Sequence, residues 1–353
     1  MPALESPVWR HWHPVLLDED LGTRPKAVML HGHELVLYRS PSTKALHALH
    51  NVCPHRRARL SDGWVRPHAD GARLVCPYHG FQFAPDGRGE SPGTPAIKLN
   101  CTSFETRQAY GAIWLRARPS NSPDAPHPAS EPTHFPDLAI PGFTQVASIS
   151  HLIEAPLEVV VDNFCEVEHT PTTHALFGYS AASLPDVRVT LECTDTTVRV
   201  LNEGVQKPIP RLVERAFGIH TGDTFIDDWT VHFSPVHIVY DQWWRDPTTA
   251  SPRPIRVHLG VFFVPIDHDQ TRLFTFAFSN RPPSILDPLL RPLLRRIVNH
   301  EVVLDQRRIE RLADTNPDLR GTRLGRFDAA LREHRKRIER LYRMRRNDPG
   351  SPA

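Results

Sequence analysis

The sequence lacks several features that would assign it to a special class of protein. No apolar run reaches the 18 or more residues of a membrane-spanning helix, and the N-terminus MPALESPVWRHWHP has no long apolar centre like that of a secretory signal. Neither sign of charge is in excess, since 42 basic residues stand against 40 acidic ones. We therefore expect a soluble, cytoplasmic protein that binds neither nucleic acid nor a membrane.

Cysteine is also scarce, and five residues are too few and too oddly numbered for a disulfide framework. Two of them stand close to histidines, in Cys53-Pro-His55 and, after a 20-residue spacer, in Cys76-Pro-Tyr-His79. Each pair offers one thiolate and one imidazole, so two loops could bind one metal centre. These donors alone are compatible with a structural zinc or with a [2Fe-2S] cluster in which two histidines replace two cysteines.

The length of 353 residues and the distribution of turn residues predict two domains. Residues 1–118 consist of short alternating segments that indicate an antiparallel β domain. Residues 119–140 are rich in proline and serine and predict a crossing between domains. Residues 141–353 contain longer strand candidates, a helix at roughly 157–169 and a helical pattern from Asp287 to about Ala313, which together predict an α+β domain with a sheet backed by helices.

A second group of metal-ligating residue types is Glu166-x-x-His169-x-x-x-x-His174. On a helix Glu166 and His169 lie on one face, so the carboxylate can accept a hydrogen bond from the ring N–H that points away from a metal. His169 and His174 are about 140° apart around an ideal helix and could not both face one ion without a break. Pro171 provides that break.

A third ligand would come from the late helix, where Glu301 and Asp305 are both available. A carboxylate in an apolar stripe needs a cation or hydrogen bonds to offset its desolvation. We expect Glu301 to be the ligand, with Asp305 in reserve; the alternative interpretation pairs Glu301 with an arginine such as Arg308. The preference for Glu301 rests on its place near the middle of a predicted apolar stripe of Leu290, Leu294, Ile297, Leu304 and Leu312.

The sequence segments around these residues resemble those of a known family. CPHRRARLSDG and CPYHGFQFAPDGRGESPG resemble the two cluster-binding loops of the Rieske domain, and the Glu-His-His segment, with Asn163 beside it, resembles the iron-binding segment of the Rieske non-haem iron oxygenases. Arg57 stands where the family usually has glycine, Phe81 where tryptophan is frequent, and the spacer is a few residues longer. The additional length includes Asp70-Gly71, which fits a hairpin turn, and His68, which we interpret as a surface residue.

The resemblance implies a fold and a set of cofactors. We expect an N-terminal antiparallel β Rieske domain and a helix-grip-like antiparallel sheet with covering helices. A [2Fe-2S] cluster would be bound by Cys53, His55, Cys76 and His79, and a mononuclear Fe(II) by His169, His174 and Glu301. Glu166 would link His169 to the cluster ligand His79 of a neighbouring subunit in a ring, with Asn163 close by. Glu166 and Glu301 both stand where the family more often has aspartate.

The resemblance also implies a reaction. A separate reductase or ferredoxin would pass electrons from NAD(P)H to the cluster, and O2 would be used at the iron to oxidise a small organic substrate. The length of the chain is similar to that of the short, α-only members, which favours a homotrimer and monooxygenation, hydroxylation or demethylation. The alternatives are a zinc-containing ligand-binding protein and a Rieske electron carrier without oxygenase activity. The identity of the substrate stays open.

Overall fold

The computed structural model describes residues 6–69, 71–118, 134–281 and 287–343. The chain divides into two compact units, the first of Met1–Pro136 with Val264–Asp267 and the second of Asp137–Phe263 with His268–Ala353. The domain limits expected from the sequence remain predictions, and most of the expected crossing, residues 119–133, lies outside the described residues.

The first unit is built from antiparallel strands, as predicted. A six-stranded sheet has the order β1-β11-β10-β4-β3-β2, and a five-stranded sheet runs β5-β6-β7-β8-β9. The strands are β1 His13–Leu17, β2 Lys26–Leu30, β3 His33–Arg39, β4 Leu46–His50, β5 Trp64–His68, β6 Gly71–Val75, β7 Gln82–Phe83, β8 Arg88–Glu90, β9 Leu99–Asn100, β10 Ser103–Ala109 and β11 Ala112–Ala117.

Tight turns explain why the strands of the first unit are short and adjacent. His31 and Gly32 join β2 to β3 with φ angles of 50° and 77°, and Tyr110 and Gly111 join β10 to β11 with φ angles of 55° and 74°. Two successive residues with positive φ form the two-residue hairpin turn whose twist matches that of paired strands. Strands β5 and β6 form the hairpin expected in the long spacer, although Asp70 itself lies outside the described residues.

The second unit contains a seven-stranded antiparallel sheet of order β12-β18-β17-β16-β15-β14-β13. The strand candidates expected in residues 141–353 form strands of this sheet, so the α+β fold class is confirmed. The strands are β12 Thr144–Ile153, β13 Arg188–Cys193, β14 Thr197–Val205, β15 Thr224–Phe233, β16 Val236–Arg245, β17 Pro252–Pro265 and β18 Thr271–Ser279.

Helices flank this sheet in the chain, and their bounds differ in part from the prediction. They are α1 Leu157–Phe164, α2 Thr170–Thr173, α3 Arg211–Phe217, α4 Asp287–Ile309 and α5 Leu331–Ile338. Helix α3 was not expected from the sequence; it follows Pro210 and ends at Gly218, whose φ of 65° suits a left-handed helix cap. Within the described ranges, no helix is both long enough and apolar enough to cross a bilayer.

Helix α1 is shorter than predicted, because it ends at Phe164 and not near residue 169. Pro171 lies in the first turn of the one-turn helix α2, where its missing N–H costs no helix hydrogen bond. Pro171 therefore begins a helix and does not end one. Glu166 and His169 lie in the turn between α1 and α2, so they come together through this turn and not along one helix face.

Candidate metal centres

The two loops that contain the Cys-His pairs have the same backbone hydrogen bonds. The N–H of Cys53 donates to the carbonyl of Ala58 over 2.9 Å, and the N–H of Arg57 donates back to the carbonyl of Cys53 over 2.9 Å. In the second loop, the N–H of Cys76 donates to Phe81 over 2.8 Å and that of Gly80 donates to Cys76 over 3.1 Å. The backbone therefore presents both pairs in the same way.

Arg57 occupies the position in the first loop that Gly80 occupies in the second. Their φ angles are 61° and 68°, both in the left-handed region. Only glycine adopts this region without a steric penalty from its side chain. Arginine in place of the usual glycine at position 57 therefore leaves the backbone of the loop unchanged. It costs conformational energy, because the side chain makes the left-handed φ unfavourable.

The four donors of these loops divide into an inner and an outer pair. Cys53 and Cys76 are each 1% exposed, while His55 is exposed and His79 half-buried. Burial and the neighbouring Cys76 thiol raise the pKa of Cys53 to about 11. The two imidazole rings lie 4.7 Å apart between centroids, at 71° to each other.

This arrangement can be compared with what zinc requires. Ligands of one zinc ion lie about 2.0–2.3 Å from it and so no more than about 4.6 Å apart. Among the described residues, no three donor atoms of the two loops lie within 4.8 Å of one another. Two buried thiols and two outer imidazoles fit a two-iron cluster, with one iron bound by sulfur and the other by nitrogen.

A second group of donors lies in the second unit. His169 Nε2 and His174 Nε2 are 3.1 Å apart, and Oδ1 of Asp305 on α4 lies 3.4 Å from the first and 3.3 Å from the second. Adjacent ligands of a metal at about 2.1 Å would be separated by about 3 Å. Two histidines and one carboxylate on one face of an ion, with the opposite positions open, form the iron site of many oxygenases.

The protons of the two histidines are placed by two further carboxylates. Glu166 Oε1 accepts a hydrogen bond from His169 Nδ1, and Glu301 Oε2 lies 2.7 Å from His174 Nδ1. A proton on each Nδ1 leaves a lone pair on each Nε2. Those lone pairs and Asp305 Oδ1 then point at a common centre, which only a cation makes favourable, so the residues fit the metal.

The pKa shifts of the residues in the triad indicate that the site favours a cation. Burial alone would lower the pKa of His169, but hydrogen bonds with Asp305 and Glu166 raise it to about 9. Burial alone would raise the pKa of Asp305, but the two histidines lower it to about 2. The carboxylates around the histidines therefore favour positive charge at this point in the second unit.

The carboxylate in the triad is the reserve residue and not the preferred one. The structure brings together His169, His174 and Asp305, and it places Glu301 behind His174, on the ring nitrogen that faces away from the triad. On α4 the buried face consists of Val302, Asp305 and Ile309. The stripe expected from the sequence included Leu312, which lies beyond the end of α4 and is 51% exposed.

Several residues near the triad carry roles that the sequence did not indicate. Nζ of Lys207 donates hydrogen bonds to the carbonyls of His174, over 2.5 Å, and Thr170, over 3.2 Å. The hydroxyl of Tyr240 donates to the carbonyl of Phe164 at the end of α1. Tyr240 lies in β16 and Lys207 lies just beyond the end of β14. Both side chains fix the segment that contains the two histidines, and their distance along the chain hides this role in the sequence.

A cavity of about 200 Å³ opens onto the triad. Asn163 lines it as expected for a neighbour of the site, and within the described part of the chain its Nδ2 is buried without a hydrogen-bond partner. Phe177 and Tyr179 line the cavity and also belong to an apolar cluster of the unit. Leu176 is half-buried and outside this lining.

Two family matches cover most of the chain. The Rieske [2Fe-2S] domain matches residues 11–103, and the vanillate O-demethylase oxygenase C-terminal domain matches residues 153–344. Since the second match alone covers more than half of the chain, the chain belongs to the Rieske non-haem iron oxygenases. Its family cofactors are a Rieske [2Fe-2S] cluster and a mononuclear non-haem iron, which confirms the family and cofactors expected from the sequence.

Named relatives include several oxygenase components. The chain is 31% identical to the oxygenase component of dicamba O-demethylase from Stenotrophomonas maltophilia over 46% of each chain. It is 26% identical to the vanillate O-demethylase oxygenase subunit of Pseudomonas sp. strain HR199 over 64% of this chain and 62% of that one. Methylxanthine N3-demethylase NdmB of Pseudomonas putida is 30% identical over 53% of this chain and 55% of that one. The matches thus span less than two thirds of these relatives.

Solved structures show the same fold over nearly the whole chain. Dicamba monooxygenase bound to 3,6-dichlorosalicylic acid superimposes with a TM-score of 0.76 at 21% identity, covering 96% of this chain and 98% of that one. A caffeine-bound mutant of Pseudomonas putida NdmA superimposes with a TM-score of 0.67 at 20% identity, over 95% of this chain and 91% of that one. The fold of this chain is therefore the same as that of these two proteins.

Proposed function

We propose that the chain is the oxygenase component of a system that uses O2 to oxidise a small organic molecule. Cys53, His55, Cys76 and His79 hold the [2Fe-2S] cluster. When bound, the cluster supplies electrons one at a time and the mononuclear iron supplies the site of O2 activation. The observation that supports this proposal best is the convergence of three donor atoms, within 3.1–3.4 Å of one another, on the wall of a cavity.

We assign Asp305, with His169 and His174, to the iron. Asp305 is buried and its Oδ1 faces both Nε2 atoms, whereas the Oε2 of Glu301 lies on the Nδ1 of His174. A histidine that binds a metal through one nitrogen commonly donates its other N–H to a carboxylate. Glu166 does this for His169 and Glu301 for His174, so both carboxylates position ligands.

The electron path is the second part of the proposal. Glu166 contacts His169, and the family resemblance places the same carboxylate against the cluster ligand His79 of a neighbouring subunit. Such a bridge requires a ring of subunits, which is why we propose a homotrimer. The relatives are named as oxygenase components and subunits, which supports a separate reductase or ferredoxin as electron donor, with NAD(P)H used only through it. We propose the cytoplasm as the compartment.

Three of the relatives support demethylation as the reaction. They are named for O-demethylation of dicamba and vanillate and for N3-demethylation of methylxanthine. All are oxidations of a small ring compound or its methyl substituent. We therefore favour monooxygenation of a small organic substrate in the cavity next to the triad.

Iron content separates this proposal from an electron carrier or a zinc protein. The purified chain should hold about three iron atoms, two in the cluster and one at the triad. In Asp305→Ala we expect about two, with the cluster's visible absorbance unchanged. Glu301→Ala should still fill the third site at saturating iron. If Asp305→Ala kept its third iron and Glu301→Ala lost it, Glu301 would be the ligand; two irons in the unmodified chain would favour the electron carrier.

A further inference from the structure

One wall of the cavity is a face of the seven-stranded sheet. Side chains alternate between the two faces of a strand, so every second residue of β15, β16 and β17 points to the same side. Most of those that line the cavity are aromatic or aliphatic, namely Phe225, Trp229, Tyr240, Val257, Leu259 and Val261.

Asp227 and Gln242 interrupt this apolar wall. They are cross-strand partners on β15 and β16, and Nε2 of Gln242 donates to Oδ1 of Asp227 over 2.9 Å. Both line the cavity, and Asp227 is only 6% exposed. Among the described residues, no donor reaches the second carboxylate oxygen of Asp227 or the Oε1 of Gln242, so each side chain keeps one acceptor without a hydrogen bond.

Among the described residues, no lysine or arginine is paired with Asp227, and its charge is offset only in part by His169 and His174, which line the same cavity. Among the described residues that line the cavity there is no lysine or arginine, whereas Asp228, on the opposite face of the strand, is paired with Arg199 over 2.7 Å. Burial raises the pKa of Asp227 to about 6, against the bond from Gln242. A buried carboxylate that accepts a single hydrogen bond is costly unless another group donates to it.

Two further polar atoms lie in the same cavity wall. The Tyr179 hydroxyl and Oγ1 of Thr275 are both buried, and within the described part of the chain neither has a hydrogen-bond partner. Buried polar groups in proteins are nearly always hydrogen-bonded. Four polar groups without a complete set of partners around one cavity indicate a site that a ligand completes.

We propose that Asp227 and Gln242 select the substrate, which carries an N–H or O–H donor and is neutral or cationic. The donor binds the unused oxygens of this pair, and the rest of the molecule packs on the aromatic wall. This inference rests on the proposed function, because it names the class of molecule that the oxygenase site accepts. Anionic carboxylates are disfavoured because Glu166, Glu301 and Asp305 also line the cavity.

Four benzene derivatives of nearly equal shape test the proposal. Benzamidine is a cation with N–H donors, benzamide is neutral with N–H donors, acetophenone is neutral without a donor, and benzoate is an anion. Their affinities for the iron- and cluster-loaded protein can be measured by calorimetry, without turnover. We expect benzamidine and benzamide to bind about 10-fold more tightly than acetophenone, as one hydrogen bond to a charged group predicts, and benzoate to bind most weakly.

Matched substitutions on the two faces of one strand complete the test. Asp227→Asn should lower the affinity for benzamidine about 10-fold and change the affinity for acetophenone little. Asp228→Asn, which removes the neighbouring charge on the opposite face, should leave the ranking of the four compounds unchanged. Equal affinities of acetophenone and benzamide in the unmodified protein would overturn the proposal even if Asp227→Asn failed to fold, and so would benzoate binding as tightly as benzamidine.

The outcomes separate this inference from the proposed function. Iron content and cluster absorbance are recorded for each sample before the titration. If the third iron is present and the ranking fails, only the substrate class is wrong. If the third iron is absent while the ranking holds, the oxygenase proposal fails and the cavity still selects donors.

Discussion

The two Cys-His loops and the triad of His169, His174 and Asp305 position their donor atoms by different means. In the loops, backbone hydrogen bonds of 2.8–3.1 Å between main-chain atoms set the directions of the cysteines and histidines. In the triad, the rings of His169 and His174 are oriented by the side chains Glu166 and Glu301. A site whose shape is set by backbone hydrogen bonds tolerates a change of side chain, as at Arg57. A site whose ligands are oriented by other side chains depends on each of those side chains.

The largest expected effect tests whether the triad depends on its orienting side chains, and it is the loss of iron affinity on changing Glu301. In Glu301→Gln the charge behind His174 is lost, so the ring becomes a weaker ligand, and we expect iron affinity at the triad to fall about 10–100-fold. Competition with a chelator measures it, with cluster absorbance as an internal reference. Glu310→Gln, an exposed change just beyond α4, is the matched control. An unchanged iron affinity would mean that the ring is fixed by packing and not by the carboxylate.

A smaller effect concerns the stability of the fold at low pH, which we expect to depend on the buried His237 in the second unit. His237 stacks between His232 and Phe262, with ring centroids 4.7 and 4.4 Å away, and its Nδ1 lies 2.8 Å from the carbonyl of Pro235. Burial lowers its pKa to about 3. The unfolded chain takes up this proton near pH 6.5 and the folded chain does not, so stability present above pH 6.5 is lost as pH falls toward 3.

This linkage can be measured by urea unfolding at pH 7 and pH 5. His237 should account for about 2 kcal/mol of the loss between these values. His237→Asn keeps a donor for Pro235 and should reduce the loss by that amount, whereas the same change at the exposed His220 should not. An equal loss in His237→Asn and in the unmodified protein would show that this ring titrates normally in the fold.

The smallest effect concerns the backbone of the first loop. Arg57→Gly removes a side chain from a residue with φ of 61°, and we expect the holoprotein to gain about 0.5–1 kcal/mol of stability. Arg56→Gly, at a neighbouring position that is not among the positive-φ residues, should destabilise it instead. Thermal melting followed at the cluster's absorbance checks both. If both changes destabilised the protein alike, the left-handed backbone at Arg57 would carry no strain.

The same difference explains how much the sequence could predict. Each Cys-His pair lies within four consecutive residues, so its local motif was sufficient to expect both loops and the β fold around them. The strands of the second unit were equally clear from alternation. His169 and His174 were expected from their spacing, although the turn between α1 and α2, and not a continuous helix, brings Glu166 to His169.

The choice between Glu301 and Asp305 could not be made from the sequence, because it depends on where α4 ends and which face it buries. An apolar stripe extended to Leu312 pointed to Glu301, but the helix stops at Ile309 and Asp305 lies on the buried face. The position of Asp227 on the cavity wall could not be predicted from the sequence either. Two adjacent aspartates in a strand look alike in sequence, and only the sheet shows that one faces a cavity and the other an arginine.

Helix α4 supplies both the carboxylate that faces the two Nε2 atoms and the one that orients His174. Because Glu301 and Asp305 lie one helical turn apart on a rigid element, they cannot move independently. A displacement of this helix by about 1 Å would release the Nδ1 proton of His174 and withdraw the third donor in the same motion. The geometry of the three donor atoms and the tautomer of His174 therefore both depend on the position of helix α4.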